Sequence, residues 1–235
     1  HVYGTTKEQL GEVALAARAW AQRNPEAFMR DPLTMEQYLA ARMVSSPFGV
    51  RDCCLVTDGG GAIVMTRGER ARDLAQRPGY VLGGAESTTH REIASMPDLT
   101  RTALADAAPR AFAQAGVRPT DIDVVELYDA FTINTILFLE DMGFCAKGEG
   151  GAFVAGGRIA PGGALPVNTN GGGLSCMHPG MYGLFTVIEA QRQLAGVAGV
   201  AGERQVAGAQ LAIAQGNGGE LSHQALLVLG TGETL

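Results

Sequence analysis

Apolar residues recur at helical spacing near the start of the chain. One face of a 3.6-residue period carries Leu10, Val13, Ala14, Ala17 and Trp20. Two Thr-x-x-Gln patterns, beginning at Thr6 and Thr34, have the form of a capping box, in which both side chains satisfy free N–H groups at a helix start. We therefore predict a first helix over residues 6–24 and a short second helix over residues 35–43.

Beyond these helices, segments typical of strands and of helices alternate. Apolar runs bounded by Gly, Pro or polar residues predict strands at residues 53–66 (two strands around a glycine turn), 80–85, 124–128, 210–214 and 224–229. Apolar residues at helical spacing predict helices over residues 67–76, 99–115, 131–142 and 184–194. Residues 216–219 predict a turn between the last two strands. This alternation indicates a layered α/β fold, and the nearly continuous apolar strands indicate a sheet covered on both faces.

Composition narrows the class of protein. The 235 residues are 46% hydrophobic, which is enough for a sizeable core. The sequence Arg-Pro-Gly at residues 77–79 predicts a boundary between two structural units, residues 1–79 and 80–235. A net charge of −6 argues against a nucleic-acid-binding surface. No apolar run approaches the roughly 18–20 residues of a membrane span.

Cysteine usage bears on the compartment and on metal binding. The chain has four cysteines, of which Cys53 and Cys54 are adjacent, so their pattern resembles neither a disulfide framework nor a Cys-x-x-Cys metal site. We therefore expect a reducing, cytoplasmic setting and no bound metal. The chain opens on His1 rather than Met, so we also expect it to be a fragment or a processed chain.

The candidate chemistry is concentrated in residues 168–183. Gly171, Gly172 and Gly173 allow close approach of the backbone to a ligand, and His178 follows just before a predicted helix. Free N–H groups at a helix start favour negative charge, which suits a developing oxyanion or thiolate. The structural alternative is a loop histidine bonded to the backbone.

Several motifs occur in a characteristic order: Asp-Cys-Cys-Leu-Val-Thr-Asp-Gly at 52–59, Glu-Leu-Tyr-Asp-Ala-Phe at 126–131, Gly-Phe-Cys-Ala-Lys-Gly-Glu-Gly at 143–150 and Asn-Thr-Asn-Gly-Gly-Gly-Leu at 168–174. In these motifs the chain resembles the thiolase superfamily, in particular sterol-carrier-protein-type thiolases and related lipid-transfer-protein enzymes, including steroid side-chain aldolases. The resemblance implies a layered α-β-α-β-α thiolase fold. Residues 1–79 would end its N-terminal half, with loop-domain helices, and residues 80–235 would form its C-terminal domain.

The resemblance also implies ligands and partners. Coenzyme A thioesters would be substrates, with no covalently bound cofactor. The protein would be a homodimer, and some relatives work with a small partner protein that combines an OB-fold and a zinc ribbon. The nucleophilic cysteine of thiolases has no counterpart here, so we expect it to lie upstream of this sequence.

The motifs assign roles to three ring-bearing residues. His178-Pro is similar to the Gly-His-Pro motif of thiolases, with Met177 in place of glycine, which implies a base beside the nucleophile. Tyr128 stands where sterol-carrier-type thiolases have His and where the aldolases have Tyr, which implies contact with an enolate oxygen or with a proton in transfer. Tyr182, one helical turn after His178, is expected to line the pocket or to pack in the core. Asp129 is expected to cap the following helix.

Backbone groups complete the predicted site. The implied oxyanion site is Gly-Asn-Gly-Gly at 216–219, which matches a glycine turn that carries a second cysteine in many thiolases. We predict that this segment, with Asn217, Gly218 and Gly219, forms an oxyanion cradle of N–H groups or, equally, a plain hairpin turn. The glycines at 171–173 are predicted to contact substrate. Cys145 and Cys176 are weaker candidates for a nucleophile, since buried cysteine usually acts as a small apolar residue.

With these residues, the resemblance implies an enzyme acting on a carbon–carbon bond beside an acyl-CoA thioester. The first reading is an acyltransferase of the 3-ketoacyl-CoA thiolase or acetyl-CoA acetyltransferase type, in lipid or steroid side-chain metabolism. A retro-aldolase that cleaves a β-hydroxyacyl-CoA is the first alternative, and a non-catalytic acyl-CoA-binding scaffold is the second. Tyr128 favours the aldolase, whereas His178 favours thiolysis.

Overall fold

The computed structural model describes residues 1–199 and 203–235, and its largest element is a four-stranded sheet. In the described residues the helices are α1 (Lys7–Gln22), α2 (Met35–Leu39), α3 (Gly68–Ala71), α4 (Leu104–Ala115), α5 (Thr132–Asp141), α6 (Gly150–Val154) and α7 (Gly183–Ala195). The strands are β1 (Met43–Ser45), β2 (Phe48–Gly49), β3 (Tyr80–Thr88), β4 (Val124–Glu126), β5 (Leu211–Gly218) and β6 (His223–Gly230). A single π-helical turn covers Gly172–Cys176.

The main sheet has the strand order β3-β6-β5-β4. β6 is antiparallel to β3 and to β5, and β4 is parallel to β5. Alternate strand residues enter two separate cores: Ile213 packs with α1, α4 and α5, whereas Ala212 and Ala214 pack with α7. Helices therefore cover both faces of the sheet, as the apolar strands predicted.

The first helix forms where its capping pattern predicted. Thr6 Oγ1 accepts a hydrogen bond from the Gln9 N–H at 3.3 Å, and Gln9 Oε1 accepts one from the Thr6 N–H at 3.0 Å. The same reciprocal pair joins Thr34 and Gln37 at the start of α2. The second helix is shorter than predicted, because residues 43–49 turn at Ser-Pro into the β1–β2 hairpin.

The prediction of two strands within residues 53–66 is wrong. The segment is not paired in a sheet, and the side chains of Val56 and Val64 are 97% and 91% exposed. A strand needs a neighbouring strand to share its hydrogen bonds. Within the described residues, Cys53 makes only an isolated β-bridge with Phe131, and no ladder continues from it. The segment instead runs beside α7, where Cβ atoms on Gly59 and Gly61 would meet Phe185 at 3.5 Å and Leu184 at 3.2 Å.

The predicted turn at residues 216–219 is also wrong. β5 continues to Gly218, with Asn217 opposite Gln224 and Gly218 opposite His223. The Asn217 carboxamide oxygen accepts a hydrogen bond from Gln224 Nε2 at 2.5 Å, so the asparagine side chain binds across the ladder instead of shaping a turn. The chain reverses after Gly218.

Two predicted helices begin later or end earlier than their patterns. Only Gly68–Ala71 is helical within residues 67–76, and α4 begins at Leu104. Residues before α4 are held in turns, since the Asp98 and Asp141 carboxylates accept hydrogen bonds from the threonines at 100 and 102. The boundary at residue 79 stays a prediction. Within residues 1–199 and 203–235, no helix has the length and apolar character needed to cross a membrane.

Candidate active site

Three aromatic rings meet between the end of β4 and the start of α7. The Tyr128 ring lies edge-on to His178, with centroids 5.2 Å apart, and edge-on to Tyr182 at 5.8 Å. The His178 and Tyr182 rings are stacked at 6.0 Å. Residues 50 or more positions apart in sequence therefore form one cluster, and its polar atoms are the candidate chemical groups.

Tyr128 is held by both its backbone and its hydroxyl. Its N–H donates to Gln215 Oε1 at 2.9 Å, which ties it to β5, and its hydroxyl donates to the Gly180 carbonyl oxygen at 3.2 Å. Burial raises the pKa of the phenol above its ordinary value. Tyr128 is therefore a neutral hydrogen-bond donor at neutral pH, not a base.

His178 has a free polar atom inside the protein. Its Nε2 is buried and has no hydrogen-bond partner among the described residues. The His178 main chain is fixed by Thr57, whose Oγ1 accepts the His178 N–H at 3.0 Å. Burial lowers the pKa of the imidazole below its usual 6.5, so the ring is neutral at neutral pH. A neutral imidazole with an available nitrogen can accept a proton.

Asp129 does not cap α5, which corrects the prediction from sequence. Its buried carboxylate accepts hydrogen bonds from the backbone N–H groups of Gly173 at 2.6 Å and Leu174 at 3.4 Å, at the start of the π turn. α5 begins after Phe131 with no side-chain cap. Burial raises the pKa of Asp129 to about 7, despite these hydrogen bonds.

The three consecutive glycines pack against protein atoms. A Cβ on Gly171 would lie 2.7 Å from Ala21 Cβ, on α1. One on Gly172 would lie 2.1 Å from the Asp129 carboxylate, and one on Gly173 would lie 2.9 Å from His178 Cδ2. The absence of side chains therefore lets the π turn approach α1, Asp129 and the His178 ring. Their contact with substrate stays a prediction.

Tyr182 is buried beneath the other two rings. Its side chain is fully covered, and its hydroxyl donates to Asn170 Oδ1 at 3.0 Å. Burial raises its pKa well above the ordinary value. The hydroxyl is thus engaged inside the protein, which fits the packing alternative for this residue better than a catalytic one.

The predicted oxyanion residues lie along the β5–β6 hairpin. A Cβ on Gly218 or Gly219 would meet His223 or Ser222 of the hairpin. Gly183, at the start of α7, lies between Gly216 and the Tyr128 ring. A Cβ on Gly183 would lie 3.5 Å from the Gly216 Cα and 3.9 Å from Tyr128 Cδ2, which places Gly216 close to the rings. Gly216, the first residue of the predicted cradle, therefore borders the cluster, and the role of residues 216–219 as an oxyanion cradle remains a prediction.

The candidate nucleophilic cysteines are neutral thiols. Burial raises the pKa of Cys176 to about 12 and that of Cys145 to about 11. A thiol reacts as its thiolate, so neither is activated. Across residues 1–199 and 203–235, no group of three or more His, Cys, Asp and Glu side chains is arranged to hold a metal ion.

Sequence reasoning missed two residues that hold the site. Thr57 fixes the His178 backbone, and Gln215 fixes that of Tyr128. Neither pairing follows from a local pattern, because the partners are separated by 121 and 87 residues.

The fold and these rings define a class: an α/β protein in which a neutral imidazole and a neutral phenol meet beside a mixed sheet. Comparison with known proteins makes the class specific. The family described as Thiolase C-terminal domain-like matches residues 85–231. The chain belongs to this family and to the thiolase superfamily, and it has the thiolase fold.

Relatives with known names include both chemical types. An acetyl-CoA acetyltransferase of Methanothermobacter thermautotrophicus is 38% identical over 92% of this chain and 56% of its own length. The 17-hydroxy-3-oxo-4-pregnene-20-carboxyl-CoA lyase of Mycobacterium tuberculosis is 39% identical over 83% of this chain and 52% of its own length.

A solved structure matches the whole chain. The Ltp2-ChsH2(DUF35) aldolase superposes with a TM-score of 0.91 and 32% identity, covering 100% of this chain and 61% of that one. The present chain thus spans about half the length of the curated relatives it matches.

Proposed function

We propose that this chain carries the acid–base groups of an enzyme that cleaves a carbon–carbon bond beside the carbonyl of an acyl-CoA thioester, by a retro-aldol reaction. The observation that carries the proposal is the unpaired, buried Nε2 of His178, whose ring lies against Tyr128. A neutral base and a neutral donor side by side are what such a cleavage requires.

The reaction assigns one step to each group. His178 Nε2 accepts the proton of the substrate's β-hydroxyl, and the bond between the α- and β-carbons breaks. The β-carbon leaves as a ketone or aldehyde, and its former bonding electrons form the enolate of the shortened acyl-CoA. The Tyr128 hydroxyl turns from the Gly180 carbonyl to donate to the enolate oxygen. Protonation of the α-carbon by the imidazolium completes the reaction and restores His178.

The identity of residue 128 supports cleavage by aldol chemistry over thiolysis. Tyr128 stands where the resemblance gives the aldolases a tyrosine and sterol-carrier-type thiolases a histidine. Burial raises the pKa values of Cys54, Cys145 and Cys176 to about 11, 11 and 12, so a nucleophile for thiolysis would have to come from outside this sequence, whereas aldol cleavage needs no thiolate. The lyase and aldolase relatives support the same reading.

Thiolysis of a 3-ketoacyl-CoA is the second candidate function. It is favoured by the His-Pro pair at residues 178–179 and by the acetyl-CoA acetyltransferase relative. In that reaction a cysteine outside this sequence would attack the ketone, and His178 would serve as its base. Tyr128 would steady the enolate in the same way, so the two reactions share the ring cluster.

The wider setting of the protein is proposed from its relatives and its composition. The Ltp2-ChsH2(DUF35) aldolase supports binding of a small partner protein. The resemblance to thiolases is the basis for proposing a homodimer. The lyase supports substrates in lipid or steroid side-chain metabolism. The cysteine pattern supports a cytoplasmic location.

The decisive experiment assays full-length protein with a branched β-hydroxyacyl-CoA alone, and separately with a 3-ketoacyl-CoA plus CoA. We expect a ketone and a shortened acyl-CoA from the first mixture. His178→Ala should lower the rate by about 10²–10⁴-fold, and Tyr128→Phe by about 10²–10³-fold. His1→Ala, at an exposed histidine, is the matched control and should retain the rate.

Each other outcome has a definite meaning. Turnover of only the 3-ketoacyl-CoA mixture would replace the aldol reading with thiolysis. Binding of acyl-CoA without turnover of either substrate would contradict both and support the scaffold alternative.

A further inference from the structure

A cavity of about 350 Å³ lies beside the ring cluster. Its wall includes Leu174 and Ser175 from the π turn, the same turn that packs against His178 through Gly173. Cys54 also lines the cavity. The cavity and the ring cluster therefore have the π turn as a common neighbour.

Two arginines face this cavity. The Arg18 side chain is buried, and its residue is only 4% exposed. Its Nε donates to Ser175 Oγ at 3.0 Å and its Nη1 to the Asp31 main-chain oxygen at 2.9 Å. Arg51, at the end of the β1–β2 region, lines the same cavity and is half-buried.

In the part of the chain that the structure describes, Arg18 Nη2 and Arg51 Nη1 share one weak acceptor. Arg18 Nη2 lies 3.6 Å from the Met29 sulfur, and Arg51 Nη1 lies 3.7 Å from the same sulfur. A thioether is a weak hydrogen-bond acceptor, so one poor acceptor is shared by two cations. An oxygen anion placed there would accept both donors far more strongly.

The charge around the pair is also unbalanced. Burial lowers the pKa of Arg18, and repulsion from Arg51 lowers it further. The charge of Asp31 raises the same pKa, but by less. Within residues 1–199 and 203–235, neither guanidinium forms an ion pair with a carboxylate: the Asp31 group that accepts from Arg18 is its main-chain oxygen. Buried charges in proteins are normally paired.

We propose that this cavity binds a carboxylate carried by the acyl part of the CoA thioester, held between the guanidiniums of Arg18 and Arg51. The rest of the wall is mainly apolar and suits the carbon chain that leads to the carboxylate. The identification of the ligand as an acyl-CoA rests on the proposed function. The site makes the protein selective for acyl groups that end in an acid.

The test is equilibrium binding to full-length protein, measured by isothermal titration calorimetry, so that it does not depend on turnover. The probes are matched pairs of acyl-CoA: succinyl- with butyryl-CoA, adipoyl- with hexanoyl-CoA, and suberoyl- with octanoyl-CoA. At one chain length or more, we expect the carboxylate to bind at least about tenfold more tightly than its alkyl partner, as one added charge-assisted hydrogen bond would give.

The variants assign that preference to the arginines. Arg51→Gln, at the half-buried position, should bind both members of the pair equally. Arg18→Gln should also bind both members of the pair equally. If loss of the hydrogen bond to Ser175 unfolds the Arg18 variant, the Arg51 variant still tests the proposal. Arg30→Gln removes the same charge from an exposed arginine outside the cavity and should retain the preference.

A further arm separates the acyl carboxylate from the phosphates of CoA. Arg51→Gln should change the affinity for dephospho-CoA, which lacks the 3′-phosphate, by the same factor as it changes the affinity for CoA. Equal binding of all alkyl and carboxylate pairs, or an Arg51 effect confined to the 3′-phosphate, would overturn the proposal. A clear carboxylate preference without cleavage of any β-hydroxyacyl-CoA would instead contradict only the proposed function.

Discussion

Among single residues, His178 combines burial with an unpaired ring nitrogen. Desolvation penalises its charged form, so its pKa lies below the ordinary 6.5. As the base of the proposed reaction, it is active when neutral. Its protonation should therefore govern the acidic side of the rate profile.

We expect the acidic decline of kcat/KM for aldol cleavage to have its midpoint below pH 6.5. The measurement is a pH–rate profile of the full-length enzyme, with His1→Ala, at an exposed histidine, as the control that should leave the profile unchanged. A midpoint at or above 6.5 would show that burial does not set the pKa of the base.

Gly173 provides a second prediction for a single residue. A Cβ at this position would lie 2.9 Å from His178 Cδ2, so Gly173→Ala must displace the ring. We expect kcat to fall by about 10²-fold, the scale of a 1 Å misplacement of a catalytic group. Gly60→Ala is the control, since a Cβ there meets nothing within 4 Å. An unchanged kcat in Gly173→Ala would show that His178 does not act in the reaction.

Among the elements, α1 is set by local sequence. Because both hydrogen bonds of its capping box are present, Thr6→Ala should lower the free energy of unfolding by about 1 kcal/mol. Urea denaturation monitored by circular dichroism measures this change. Thr66→Ala, at an exposed position in the unpaired segment, should be neutral, and an equal loss in both variants would argue against a capping effect.

Elements governed by local rules could be predicted from the sequence, and those governed by distant partners could not. Thr6 with Gln9 fixed the start of α1, and the apolar runs located β5 and β6 to within a few residues. Residues 53–66 have the composition of strands, but a strand exists only with a hydrogen-bonded neighbour. No property of that segment alone reveals whether one is present.

The site divides in the same way. His178 and Tyr128 were recognised from motifs, and the structure brings their rings together. The true partner of Asp129 was not predicted, because a carboxylate just before a helix has the pattern of a cap whichever N–H groups it binds. The backbone N–H groups that donate to Asp129 belong to residues 173 and 174. They come close to the carboxylate only when the π turn packs against the end of β4.

For the molecule as a whole, two buried acids make stability depend on pH. Burial raises the pKa of Asp129 to about 7, and that of Glu126 is also raised, by burial and by the neighbouring Glu189. Between about pH 4 and pH 7 the folded state holds protons that the unfolded state has released. This contribution to stability is therefore complete below pH 4 and is lost as the pH rises towards 7.

Asp129→Asn tests this linkage, because it keeps a neutral side chain at every pH. We expect the variant to lose less stability than the unchanged protein between pH 4 and pH 7, measured by urea denaturation at each pH. Asp73→Asn alters an exposed carboxylate and should follow the unchanged protein. The opposing effect of His178, whose lowered pKa weakens the fold as the pH falls below 6.5, is the same in all three and cancels. Parallel curves for Asp129→Asn and the unchanged protein would contradict the raised pKa.

The π turn at Gly172–Cys176 has two working sides. Gly173 supports the imidazole on one side, while Leu174 and Ser175 form part of the arginine-lined cavity on the other. These five residues would thus join recognition of the distant end of a substrate to alignment of the proposed base. An acyl group without the carboxylate would bind more weakly and would also leave the base less well aligned, so discrimination between substrates would appear in kcat as well as in KM.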